Sequence, residues 1–159
     1  MSQDNWNTPP EIVELINKFK PIGFDPCPNL SSFIRPTTEF SGDGLDVDWL
    51  NKGLVFVNPP YSRSNYLKFV KRITAFGSIY GGEILALVPA NIETKTWQSY
   101  LWKANAVCFP KYRIRFYLNG ERGKSPTGAH ALVYFGKDLE HFKDVFSELG
   151  KTIILNWER

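Results

Sequence analysis

The stretch Leu54-Val55-Phe56-Val57-Asn58-Pro59-Pro60-Tyr61 decides how the rest of the chain is read. Its first half is an unbroken apolar run, the pattern of a strand buried on both faces. Its second half cannot continue that strand, because consecutive prolines remove backbone N–H donors and fix φ. A buried strand that stops in a stiff polar turn belongs to an α/β sheet, where ligands gather at the carboxyl ends of the strands.

Outward from this stretch, Tyr66, Phe69, Val70 and Ile73 recur at helical spacing until Gly77. Upstream, Thr8, Pro9 and Glu11 predict a capped helix start, with Ile12, Leu15, Ile16 and Phe19 on one face and Pro21 as the stop. Ile22-Gly23-Phe24 predicts a short strand that ends at Asp25-Pro26-Cys27-Pro28. Residues 29–48 read as loop, with a short strand near Thr37 to Phe40. Downstream, Ile84 to Val88 is a second buried strand, ending at Pro89-Ala90-Asn91, and Thr94 opens a helix carrying Trp97, Tyr100, Leu101 and Ala104. Ala106 to Phe109, Ile114 to Leu118 and Ala131 to Phe135 are strand-like, the last two separated by a polar loop with Asn119-Gly120 and Gly123 to Gly128. Asp138 caps a final helix with Leu139, Phe142, Val145 and Leu149 inward; Gly150 ends it, and Thr152 to Leu155 makes a last strand. This alternation predicts an α/β fold with a mainly parallel sheet and an antiparallel C-terminal portion. It brings Asp25-Pro26, Asn58 to Tyr61 and Pro89 to Asn91 to one edge.

Residues 1–159 are expected to form a single domain, long enough to bury about two-thirds of the unfolded surface. The net charge of +3 permits a polyanionic partner without demanding one. Cys27 and Cys108 have neither CxxC spacing nor a companion histidine cluster, so no metal site or disulfide framework is expected. Met1 to Asn5 has no signal-peptide pattern, and no apolar run approaches the ~20 residues of a membrane span. A cytoplasmic protein without a membrane partner is therefore expected.

Asn58 to Tyr61 also carries chemistry. The Asn58 amide oxygen and the Pro59 carbonyl are two acceptors that the Pro59-Pro60 turn holds in fixed directions. Tyr61 adds a flat face of the kind on which a base stacks, worth about 1–3 kcal/mol. Two acceptors beside an aromatic face suit a planar NH2 group, whose conjugated nitrogen needs positioning to become a nucleophile. The Tyr61 ring, not its hydroxyl, is the expected contributor. Arg113 and Arg115 alternate on a predicted strand and so share a side, near Lys111, Arg122 and Lys124; phosphate contact and a solvated basic face are equally good readings of them. His130 and His141 read as structural.

Asn58-Pro59-Pro60-Tyr61 matches the catalytic motif of amino-group methyltransferases. Trp6-Asn7-Thr8-Pro9, Phe24-Asp25-Pro26-Cys27, Asp43-Gly44-Leu45 with Trp49, Leu87-Val88-Pro89-Ala90 and Tyr112 to Phe116 follow in collinear order. Together they resemble the phage-type DNA N6-adenine methyltransferases over most of the chain. The resemblance implies a Rossmann-like methyltransferase fold, S-adenosylmethionine as cofactor and DNA as partner. It implies a catalytic role for Asn58, Pro59, Pro60 and Tyr61, and a cofactor site at Trp6, Thr8, Pro9, Asp25, Pro26, Cys27 and Asp43. Arg113, Arg115 and Lys124 become the expected nucleic-acid contacts. Residues 1–159 would be one catalytic domain with no separate target-recognition domain. One departure from the wider methyltransferase pattern is the absence of a G-x-G turn after the first strand. Cytosine N4, adenine in RNA and a protein glutamine present the same planar amine and stay open, as does a catalytically silent binding protein on this scaffold.

Overall fold

A computed structural model describes residues 6–126 and 128–155. The expectation for the polar N-terminus at residues 1–5, and Thr127 of the predicted loop, lie outside the described residues. The elements run α1 (Pro10–Phe19), β1 (Ile22–Phe24), β2 (Leu54–Val57), α2 (Arg63–Thr74), β3 (Ile84–Pro89), α3 (Lys95–Ser99), β4 (Ala106–Pro110), β5 (Tyr117–Leu118), β6 (Glu121–Arg122), β7 (His130–Phe135), α4 (Leu139–Phe146) and β8 (Gly150–Ile154).

A six-stranded sheet in the order β1-β2-β3-β7-β4-β8 organises the chain, with β5 and β6 as a separate hairpin. Its strands separate the core into two layers by the period of two along a pleated strand. Leu54 and Phe56 of β2 pack with Leu85 and Leu87 of β3 against α1 and α4. Val55 and Val57 pack with Ile84, Ala86 and Val88 against α2 and the Trp97, Leu101 and Ala104 side chains. Both faces are covered, which is why β2 and β3 read as continuous apolar runs.

The expected mainly parallel sheet needs correction. β1, β2 and β3 pair in parallel. The ladders β3–β7, β7–β4 and β4–β8 are antiparallel. β7 therefore runs against its neighbours and brings its first residue, His130, beside Pro89 at the carboxyl end of β3.

Other local expectations shift for identifiable reasons. Pro9, not Thr8, is the N-cap of α1, and no side chain caps it. The predicted strand at residues 114–118 is limited to Tyr117 and Leu118, although Ile114 and Phe116 are buried while Arg113 and Arg115 are exposed. Near Thr37, two backbone bonds reach Ile22 and Gly23, yet no strand forms. Gly77 does not end α2; a π turn over Ala75–Ile79 extends it, with Gly77 buried. The helix after Thr94 is only Lys95–Ser99, followed by a 3₁₀ turn at Leu101–Lys103. Gly150 opens β8 instead of ending α4.

Candidate active site

The parallel strands aim their carboxyl ends at one edge. Asp25 follows β1, Asn58 follows β2 and Ala90 follows β3. The tight turn at Asn58 leaves its side chain partly exposed there while Pro59 is buried. Asn58 Nδ2 donates to the Trp6 carbonyl at 3.2 Å, which turns Oδ1 the other way. The Tyr61 hydroxyl lies 3.1 Å from Asn58 Oδ1 and 3.2 Å from the Leu87 carbonyl of β3, so its single proton has two acceptors. Burial pushes the phenol well above its usual range, which keeps it a neutral donor. An amide oxygen has two lone pairs, so Asn58 Oδ1 retains acceptor capacity after the Tyr61 bond.

The Trp6 carbonyl is itself held in place. Asn7 exchanges backbone bonds with Tyr117 of β5, at 2.7 and 3.0 Å, and its side chain donates to the Leu30 carbonyl. The segment before α1 thus bridges the β5–β6 hairpin to the Asn58 turn.

Two cavities flank that turn. One, of about 630 Å³, is lined by Trp6, Tyr61, Phe116 and His130, with Arg115 and Lys124 also contributing. Its aromatic rings contact one another: Phe116 and His130 have centroids 4.8 Å apart, and Tyr61 and His130 5.7 Å. The other cavity, of about 340 Å³, is lined by residues including Cys27, Asp43, Asn58, Pro60, Asn65 and Lys68. Asn58 borders the second cavity and Tyr61 the first, so the turn between them forms a partition.

Asp25 sits behind Pro26 and Cys27, only 5% exposed. Its Oδ1 accepts from the Cys27 N–H at 2.9 Å. Burial raises its carboxyl to about 6, and the single backbone bond opposes this only in part. Burial, and then the charges of Asp25 and Asp43, push the Cys27 thiol well up, so it is a protonated lining group and not a nucleophile. Asp43 caps a short turn by accepting from the Leu45 N–H at 2.9 Å. That loop is braced from α2, where Arg72 donates to the Leu45 carbonyl and lies over the Trp49 ring.

The structure therefore gathers Pro26, Cys27, Asp43, Asn58 and Pro60 around one cavity, with Asp25 adjoining. It sends Trp6 to the other cavity, with Tyr61. Thr8 and Pro9 are buried just before α1, and Thr8 Oγ1 has no hydrogen-bond partner among the described residues. Arg113 and Arg115 are exposed and brace the polar loop, donating to the Pro126 and Gly123 carbonyls. Asn65, Lys68, Phe116 and His130 are lining residues that sequence reasoning missed. Asn65 and Lys68 follow the proline turn three apart on a helix, a signal that was available. His130 had none, because its place depends on β7 running antiparallel. Among the described residues, no group of His, Cys, Asp and Glu is placed to hold a metal ion. No helix among them is long and apolar enough to cross a membrane.

The family model described as DNA N-6-adenine-methyltransferase (Dam) matches residues 1–153. Comparisons with curated proteins and with solved structures give no match.

Proposed function

The chain belongs to the DNA N-6-adenine-methyltransferase (Dam) family and is an adenine-N6 methyltransferase of DNA; from that premise we propose how its two cavities divide the reaction. The smaller cavity takes S-adenosylmethionine and the larger, aromatic cavity takes the target base. The observation that carries this reading is the position of the Asn58–Tyr61 turn between them.

The residues around the smaller cavity suit that cofactor. Asp25 is a buried carboxylate with one backbone N–H bond, a setting that favours a cationic ligand such as an ammonium. Asp43, in the lining itself, offers a carboxylate to ribose hydroxyls or an adenine amine. When bound, the cofactor supplies an electrophilic methyl group. We read the α/β sheet with its cleft at the carboxyl edge as Rossmann-like, and residues 1–159 as one catalytic unit in the cytoplasm that reads DNA through its loops.

The chain's own residues supply position and charge stabilisation. A paired adenine hides its amine in the duplex, so the nucleotide must leave the stack, at a few kcal/mol. The Tyr61 and Phe116 faces offset part of that. Asn58 Oδ1 and the Pro59 carbonyl accept the two amine hydrogens, favouring tetrahedral nitrogen and stabilising the positive charge that develops there. The surplus amine proton then leaves to solvent. Arg113, Arg115 and Lys124 hold the flanking phosphates.

Labelled S-adenosylmethionine and duplex DNA, followed by nucleoside digestion, test the assignment. N6-methyladenine is expected from the wild type. Asn58→Ala should lose at least about a hundredfold in kcat, the scale of a lost transition-state acceptor, with cofactor affinity by calorimetry nearly unchanged. Equal loss of cofactor binding in Asn58→Ala and Asp25→Ala would overturn the division of labour.

A further inference from the structure

His130 is 7% exposed, and its Nδ1 is buried without a hydrogen-bond partner among the described residues. Leaving a buried polar atom unpaired costs about 1–3 kcal/mol. Native proteins satisfy most such atoms, and the exceptions gather where a ligand or function completes them. His130 lies among the rings of the larger cavity, against Phe116 and Tyr61. Burial lowers its pKa to about 4, so near neutral pH the ring is uncharged, with one N–H donor and one lone pair. A protonated ring here would bring an unpaired charge into an apolar cavity; a neutral one brings a directional hydrogen bond.

We propose that His130 is a base-reading residue that donates a hydrogen bond to a ring nitrogen of the adenine held in the aromatic cavity. The proposal rests on the assignment of that cavity to the base. Adenine differs from a plain amine in carrying acceptor nitrogens around its ring. Asn58 and Pro59 account for the amine, and Tyr61 for a face. None of them reads a ring nitrogen of the base. A donor at the cavity wall supplies that contact. The imidazole reaches the role by turning about χ2, a soft two-fold torsion, which exchanges nitrogen and carbon positions without changing the volume filled.

Duplexes carrying 1-deaza-, 3-deaza- or 7-deazaadenine at the target remove one acceptor each while keeping the amine and the ring shape. With wild-type enzyme, one analogue should lower kcat/KM about tenfold, in the range of one lost hydrogen bond. With His130→Phe, adenine itself should lose a similar factor, and that analogue should then react as well as adenine. A purely structural His130 would lower all four substrates alike and leave their ratios untouched, which overturns the proposal. Wild-type discrimination against none of the analogues overturns it as well. If His130→Phe does not fold, nitrogen-15 spectra of wild-type imidazoles decide. The His130 Nδ1 resonance should shift on binding adenine duplex and stay in place with the discriminated analogue; an equal shift with both counts against the contact. Equal loss of cofactor binding in Asn58→Ala and Asp25→Ala would overturn the cavity assignment instead, so the two failures are distinguishable.

Discussion

At the residue scale, Tyr61 departs from what its sequence context implied. The ring was the expected contributor, yet the hydroxyl donates toward Asn58 Oδ1 and the Leu87 carbonyl. Removing it leaves Asn58 with only the Trp6 carbonyl as an orienting partner among the described residues. Tyr61→Phe should therefore lower kcat about tenfold, the worth of one orienting hydrogen bond, while cofactor affinity stays constant; unchanged steady-state kinetics would make the hydroxyl incidental. Asp25 supports a prediction in pH. Its folded carboxyl lies at about 6, above the ordinary value of 3.8. The folded protein thus holds that proton more tightly than the unfolded chain, so this group's stabilisation is complete below pH 3.8 and is lost as pH rises through about 6. A cationic cofactor inverts the preference, because it pairs with the ionised form. Affinity for S-adenosylmethionine should then weaken by about tenfold per pH unit once the pH falls below the folded pKa. Asp25→Asn should bind weakly and with little pH dependence over the same window, as titration calorimetry from pH 4.5 to 7.5 would show.

At the element scale, the extension of α2 teaches most. Gly77 reads as a helix stop because glycine is a poor helix residue. Instead it is buried inside the π turn Ala75–Ile79, where a Cβ would lie 2.4 Å from Phe135 Cγ on β7. The missing side chain is what lets helix and sheet approach. Two effects compete in Gly77→Ala: helix propensity favours alanine by about 1 kcal/mol, whereas overpacking a tight core opposes it by about 1–3 kcal/mol. The clash is with a ring anchored in a central strand, so net destabilisation is expected. Urea unfolding should show a lower midpoint at unchanged m-value. A midpoint equal to or above wild type would mean that Phe135 yields easily. The strand at residues 114–118 illustrates the opposite error: the alternation of Arg113, Ile114, Arg115 and Phe116 was legible and does set which side chains are exposed, but extended backbone becomes a ladder only where a neighbour is present to pair with it.

At the scale of the whole molecule, basic side chains from the β5–β6 hairpin and its flanking segments contribute to the aromatic cavity, with Arg115, Arg122 and Lys124 in its lining. Arg122 is paired with Glu11 and lies over the Tyr117 ring, whereas the Arg113 and Arg115 bonds are to backbone carbonyls. The latter two, with Lys124, therefore keep their charge available for phosphate. DNA affinity should fall steeply with salt, and the triple alanine variant at Arg113, Arg115 and Lys124 should flatten the log–log slope by about one unit per charge. Cofactor affinity should not change. An unchanged slope would move the DNA surface elsewhere. The sequence alone determined the buried strands, because continuous apolar runs need cover on both faces. It also determined the Asn58–Tyr61 turn, because consecutive prolines constrain the backbone locally whatever the surroundings. The collinear motifs then identified the family. What only the tertiary structure decided is which distant residues share a cavity. His130 reaches the site because β7 runs antiparallel to β3, and Trp6 because Asn7 pairs with Tyr117. Strand direction and long-range pairing depend on contacts between segments far apart in the chain, and no local propensity or period records them.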